Sequence, residues 1–145
     1  MSRPGKAGAA TGRSVWPWAM VLSTFGAVER VALAFVYQPV SYGDTGSYMR
    51  LGASLAGLTQ RAYDGTRTPA YPLLLALAGL QPRNAWWIQM ALGWGIALLL
   101  FWMTWRTTGR PWLAAVVGGL YNLIPGQFLF EANLLSETLT AFCIV

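Results

Sequence analysis

The sequence contains no histidine, and only five of its 145 residues are acidic. Without histidine, this stretch of chain cannot hold a Ser-His-Asp or Cys-His nucleophile system or a metal site built on imidazole ligands. Its single cysteine, Cys143, has no partner for an intramolecular disulfide. Only 10% of the residues are charged, 55% are hydrophobic, and the mean hydropathy is +0.43. This composition leaves too little polar surface for a water-soluble domain and indicates a membrane protein.

The apolar residues form long blocks, each close to the roughly 20 residues that cross a bilayer as a helix. Backbone groups in lipid must form their hydrogen bonds within the segment, so these blocks predict an all-α, polytopic transmembrane helix bundle. Charge within the first block is confined to Glu29 and Arg30, and the next two blocks contain none. The predicted spans cover residues 15–37, 85–105 and 112–130, and a further span begins over 133–145.

The net charge of +5 comes from basic residues scattered over segment ends, which does not favour nucleic-acid binding. A basic leader at 1–14, predicted to be disordered, precedes the first span, and Arg106 and Arg110 lie between the second and third spans. The positive-inside rule places both regions in the cytoplasm and the loop at 38–84 outside. The opposite orientation and a cleaved signal peptide are the alternatives. The first apolar run is longer than a signal sequence and lacks a cleavage site.

The external loop contains most of the unusual residues. Pro39 ends the first span, and Asp44 stands at the start of an amphipathic helix, Thr45–Leu58, able to lie on the membrane surface. The apolar run Pro69–Leu80 is too short to span the bilayer comfortably, so we expect a re-entrant or juxtamembrane helix. The final residues, 141–145, are apolar without a stop or a charged flank, which predicts that the chain continues.

The predicted topology brings four of the five acidic residues to the outer membrane surface. Carboxylates that converge at an interface are costly unless they are paired, solvated or used, so the sequence predicts an external polar site. Glu29 would lie somewhat deeper in the first span. The four outer acids are Asp44, Asp64, Glu131 and Glu137.

Three segments in this order resemble the GT-C superfamily of membrane glycosyltransferases, which includes the protein O-mannosyltransferases and the lipid A aminoarabinose transferase. They are the loop Tyr42–Tyr48 around Asp44, the Arg-x-Pro-x-Tyr-Pro stretch within Arg67–Leu77, and the acidic segment Leu134–Leu139. The resemblance covers most of the chain from about residue 13 and implies an enzyme of a bacterial inner membrane. It would transfer a sugar from a polyprenyl-phosphate donor to a hydroxyl of a protein, lipid or polysaccharide at the periplasmic or external face.

The resemblance implies a general-base role for Asp44, since a carboxylate can accept the proton of the acceptor hydroxyl. The family often has a second acid beside this one, whereas the neighbour here is Thr45, so a divalent metal stays possible but without support from this motif, and no other cofactor is expected. Glu137 would orient the acceptor and act as the second catalytic acid. The predicted substrate-binding residues are two arginines for the phosphate and two tyrosines for the sugar: Arg67, Arg61, Tyr63 and Tyr71.

Each assignment has a structural alternative. Asp44 and Glu137 suit helix N-termini, Asp64 before a glycine is typical of a turn, and arginine or tyrosine near a membrane commonly contacts lipid headgroups. The whole chain could instead belong to a transporter, a non-enzymatic membrane subunit or an inactive truncated remnant. A transporter is expected to contain broken helices and polar residues near the middle of the bilayer. The sequence does not define the sugar, the acceptor, the polyprenyl length or the oligomeric state.

Overall fold

The computed structural model describes residues 14–38, 43–57, 67–134 and 136–145, and the regular elements within these ranges are all α-helices. The predicted all-helical fold is therefore confirmed. Nearly all of the predicted leader lies outside the described residues. The helices are α1 (Trp16–Val36), α2 (Thr45–Leu55), α3 (Ala70–Leu77), α4 (Pro82–Thr108), α5 (Pro111–Leu123), α6 (Pro125–Ala132) and α7 (Glu137–Ile144).

Two of these helices, α1 with 21 residues and α4 with 27, are long and apolar enough to cross a membrane. The third predicted span, 112–130, is not one straight helix, because α5 and α6 meet at an angle of 55°. Pro125 explains the break: proline cannot donate a backbone hydrogen bond and disfavours helical geometry at the residue before it, here Ile124. The α5–α6 pair is thus either one broken span or a re-entrant turn.

Proline and glycine define several helix ends. Proline is favoured in the first turn of a helix, where its missing N–H costs no hydrogen bond. At the end of α4, Gly109 adopts a left-handed conformation with φ of 65°, and its N–H donates to the Trp105 carbonyl at 2.8 Å. This cap lets the chain turn directly into α5. The helices with proline at one of their first two positions are α1, α4, α5 and α6.

Helices α1, α4 and α5 pack together around the buried side chains of Leu22, Phe101 and Ala114. Their close approach depends on Gly118 in α5. A Cβ atom at Gly118 would lie 2.6 Å from a methyl carbon of Leu22 and 2.8 Å from the Ala97 carbonyl oxygen. Glycine therefore allows α5 to contact both α1 and the α4 backbone at one point.

Helices α2 and α3 pack against each other beside the first turns of α4. Tyr48 and Leu51 of α2 are buried, and Gly52 brings the helix so close that a Cβ atom there would lie 3.0 Å from the Pro72 carbonyl oxygen. The helix expected over Thr45–Leu58 is thus present as α2, and its apolar residues Tyr48 and Leu51 pack within the protein, against α3. Helix α3 has eight residues and is about 12 Å long at 1.5 Å per residue.

Candidate functional site

Asp44 and Arg67 form an ion pair outside the helices. Asp44 directly precedes α2, Arg67 lies three residues before α3, and the guanidinium Nη2 donates to the Asp44 carboxylate at 2.6 Å. Both side chains remain open to solvent, with exposed fractions of 55% for Asp44 and 37% for Arg67. The Asp44 carboxylate makes no capping hydrogen bond to α2. Its charge therefore faces Arg67 and solvent, where a bound molecule can reach it.

Tyr48 lies at the centre of this site, although the sequence analysis did not single it out. The Arg67 guanidinium carbon is 5.3 Å from the centre of the Tyr48 ring, within the range of a cation–π contact. The Tyr48 hydroxyl lies 3.3 Å from the Ser136 hydroxyl, which connects α2 to the start of α7. The sequence signal for Tyr48 was its position one helical turn after Asp44, on the same side of α2.

Tyr71 lies behind Tyr48 and supports its ring. The two rings meet edge to face with their centres 5.0 Å apart, and Tyr71 is only 1% exposed. Its hydroxyl donates to the Gln89 side chain at 3.0 Å. Burial raises the pKa of the Tyr71 phenol, and the nearby charge of Glu137 and then Tyr48 raise it further, so the phenol stays protonated. The ring predicted to stack on sugar is covered in this structure.

Glu137 begins α7 and is exposed, and the segment before it is fixed to α2. The Thr45 hydroxyl donates to the Leu134 carbonyl at 3.4 Å, and Ser136 contacts Tyr48 as described above. The structure therefore brings Asp44, Arg67 and Tyr71 together around Tyr48, and Glu137 directly follows Ser136, which contacts the Tyr48 hydroxyl. The other two predicted binding residues, Arg61 and Tyr63, lie outside the described residues, as does Asp64.

Glu131 does not belong to this group, contrary to the expectation from the sequence. It is 1% exposed and pairs with Arg30 of α1, whose Nη2 lies 2.8 Å from both carboxylate oxygens. The second guanidinium nitrogen donates to the Gly26 carbonyl at 3.0 Å and to the Asn122 side chain at 3.2 Å. The bend at Pro125 explains the difference, because it turns α6 against α4 instead of extending it outward.

The position of Gly93 shows how deep the Arg30–Glu131 pair lies. A Cβ atom at Gly93 would overlap the Glu131 carboxylate, so the acid occupies the space that a side chain of α4 would fill. Gly93 follows the first residue of α4 by eleven positions, about 17 Å along the helix at 1.5 Å per residue. The pair is therefore buried among the helices, whereas Asp44 is exposed in the loop before α2.

Within the described part of the chain, no group of three or more histidine, cysteine, aspartate or glutamate residues is arranged to hold a metal ion. The acids are instead used in separate places: Asp44 with Arg67, Glu131 with Arg30, and Glu137 at the start of α7. In comparisons with known proteins, no family model, no curated protein and no solved structure matches this chain.

Proposed function

We propose that this chain forms part of a membrane glycosyltransferase that moves a sugar from a polyprenyl-phosphate donor to an acceptor hydroxyl. The observation that carries the proposal is the solvent-accessible Asp44–Arg67 pair above Tyr48, with Glu137 beside the same aromatic pair. The site combines a proton acceptor, a phosphate-binding cation and an aromatic surface. In this proposal the site faces the periplasm or exterior of a bacterial inner membrane, and the N-terminus is cytoplasmic.

The reaction assigns a different role to each charge. The acceptor oxygen forms a bond to the anomeric carbon of the sugar while the bond from that carbon to the phosphate oxygen breaks. The Asp44 carboxylate accepts the proton of the acceptor hydroxyl, and polyprenyl phosphate leaves with the bonding electron pair. Arg67 donates paired hydrogen bonds to the phosphate oxygens and stabilises the charge that develops there. Glu137 orients the acceptor.

The ion pair also explains how the base is protected before substrate binds. In this structure the Arg67 guanidinium is paired with the Asp44 carboxylate at 2.6 Å. Because the Arg67 side chain is more than one-third exposed, it can turn toward a bound phosphate. Donor binding would then separate the pair and free the carboxylate for the acceptor. In this proposal, the polyprenyl-phosphate donor therefore binds before the acceptor.

Replacement of Arg67 by lysine tests the phosphate role, and Arg50→Lys is the matched control. Arg50 is exposed on α2 and donates to the Ser47 hydroxyl at 3.2 Å. The assay is transfer of labelled sugar from synthetic polyprenyl-phosphate mannose, glucose and aminoarabinose to an added hydroxyl acceptor by the full-length protein in liposomes. We expect Arg67→Lys to weaken binding and turnover about tenfold or more, because an ammonium cannot form a bidentate grip, and Arg50→Lys to act like wild type. Equal activity of all three proteins would contradict the role of Arg67.

A transporter is the second candidate, and two structural observations favour it. The α5–α6 segment is bent by 55°, and the Arg30–Glu131 pair is buried among the helices beside Asn122. Broken helices and internal ionisable residues are features expected of transporters. The two candidates thus rest on different parts of the molecule, one in the loop region and one in the bundle.

Liposomes with a pH-sensitive dye trapped inside can distinguish the two candidates. The same sugars, free and lipid-linked, are added outside while internal pH and sugar transfer are recorded together. A transferase moves sugar from the lipid phosphate to an added hydroxyl acceptor without changing the internal pH, and Asp44→Asn lowers that transfer by about 10²–10⁴-fold. A proton-coupled transporter changes the internal pH on addition of a free sugar, and Glu131→Gln abolishes that change while Asp44→Asn does not.

A further inference from the structure

Gln89 touches both halves of the candidate site from the interior of α4. One half comprises α2 and α3 with Asp44, Arg67, Tyr48 and Tyr71, and the other comprises Asn133, Ser136 and Glu137. The Gln89 side-chain oxygen accepts from the Tyr71 hydroxyl at 3.0 Å, and its nitrogen donates to the Asn133 carbonyl at 2.9 Å. Gln89 is 0% exposed. The oxygen and the nitrogen of this buried amide thus both form hydrogen bonds.

The neighbours of Gln89 extend this connection. Asn133 is 3% exposed, accepts from the Tyr37 hydroxyl at 2.9 Å and donates to the Leu129 carbonyl at 2.7 Å. On the other side, the Tyr71 ring packs edge to face against the Tyr48 ring. The Arg67 guanidinium lies over the same Tyr48 ring. A continuous series of contacts therefore runs from Tyr37 at the end of α1 through Asn133, Gln89, Tyr71 and Tyr48 to the exposed ion pair in the loop.

We propose that Gln89 is a positioning residue that sets Glu137 at the correct distance from Asp44 and Arg67. The proposal rests on the proposed transferase function for its catalytic meaning, while its geometric part stands on the contacts alone. An amide suits this position because the Asn133 carbonyl requires a donor and the same side chain also accepts from the Tyr71 phenol. Loss of one bond would let the segment before Glu137 shift, and a misplacement of about 1 Å can reduce a reaction rate on the order of 10²-fold.

Gln89→Glu is the decisive variant because it preserves shape and replaces the amide group that donates to the Asn133 carbonyl. The ionised carboxylate can still accept from Tyr71 but faces the Asn133 carbonyl oxygen without a proton to donate. Protonation of the introduced carboxyl group restores the donor. The charged and titratable neighbours across this contact are Tyr71 and, beyond it, Glu137. Gln89→Met removes the side-chain hydrogen bonds at nearly constant volume, and Gln81→Glu is the control for the same change at an exposed position.

The activity test measures kcat and KM for sugar transfer from the lipid-linked donors at pH 8 and pH 5.5, each relative to wild type at that pH. We expect Gln89→Glu to lose about 100-fold in kcat at pH 8 with KM changed less than about twofold, and to regain most of the loss at pH 5.5. Gln89→Met should stay low at both pH values, and Gln81→Glu should match wild type. If Gln89→Met does not reach the membrane, Gln89→Glu at the two pH values carries the test.

A distance measurement separates the geometric part from the transferase function. Spin labels at Arg50→Cys on α2 and Thr140→Cys on α7, in a Cys143→Ser background, report the spacing of the two halves by pulsed EPR. We expect Gln89→Glu to shift or broaden this distance at pH 8 and to restore it at pH 5.5. Broadening without sugar transfer by wild type would reject the transferase and keep the positioning role. An unchanged distance, or wild-type kcat in both Gln89 variants, would overturn the proposal.

Discussion

The buried Arg30–Glu131 pair gives a prediction whose magnitude follows from the structure. The two side chains are only 6% and 2% exposed, and the guanidinium nitrogen lies 2.8 Å from each carboxylate oxygen. Removal of one partner leaves a buried charge without its counterion, which costs about 3–5 kcal/mol. We therefore expect Arg30→Met and Glu131→Met each to lower the free energy of unfolding by this amount. The double variant should lie within about 2 kcal/mol of wild type, because apolar side chains then replace both charges.

Reversible unfolding by SDS in mixed micelles, followed by circular dichroism, measures these differences. Arg83→Met is the matched control, because Arg83 is exposed on α4 and forms no ion pair with the described residues. This control should change stability by less than about 0.5 kcal/mol. Losses in the double variant that equal the sum of the two single losses would refute the coupling of Arg30 and Glu131. Single variants close to wild type would refute the burial of the pair.

Two further predictions concern packing and orientation. Gly118→Ala should lower the free energy of unfolding by about 1–3 kcal/mol, as expected for overpacking against the Ala97 carbonyl. Gly119→Ala should have little effect, because a Cβ atom there meets nothing within 4 Å. Unfolding in micelles measures both variants, and equal effects would contradict the close approach of α5 to α4. In intact cells on a Cys143-free background, an impermeant thiol reagent should label a cysteine at position 64 and not one at 108, and the reverse pattern would overturn the proposed orientation.

The sequence predicted the parts of the fold that depend on local patterns. The extents of α1 and α4 followed from apolar blocks of spanning length, and Asp44 was correctly placed at the start of a helix. Pro125 indicates a helix break, but the apolar block from 112 to 130 predicted a single continuous span. A proline ends a helix locally, whereas the new direction of the chain depends on what it packs against.

The contacts that define the site depend on residues far apart in the chain. Arg30 pairs with Glu131 across 101 positions, and no local signal distinguishes this acid from Glu137, which stays exposed. Tyr71 was a reasonable candidate for an exposed aromatic residue near the membrane, yet its ring is covered once α2 and α3 pack together. One glutamine in an apolar block gives no indication of its partners, so the role of Gln89 could not be predicted from the sequence.

The central claim is that the Asp44 carboxylate accepts the proton of the acceptor hydroxyl, and Asp44→Asn tests it most directly. Asparagine keeps the size of the side chain and can still accept a hydrogen bond from Arg67, so the change removes the basic group with little effect on structure. The measurement is the rate of sugar transfer from the lipid-linked donors by equal amounts of membrane-inserted, full-length wild-type and variant protein. We expect the rate to fall by about 10²–10⁴-fold, the range for loss of a general base. Transfer by Asp44→Asn at a rate close to wild type would contradict the claim.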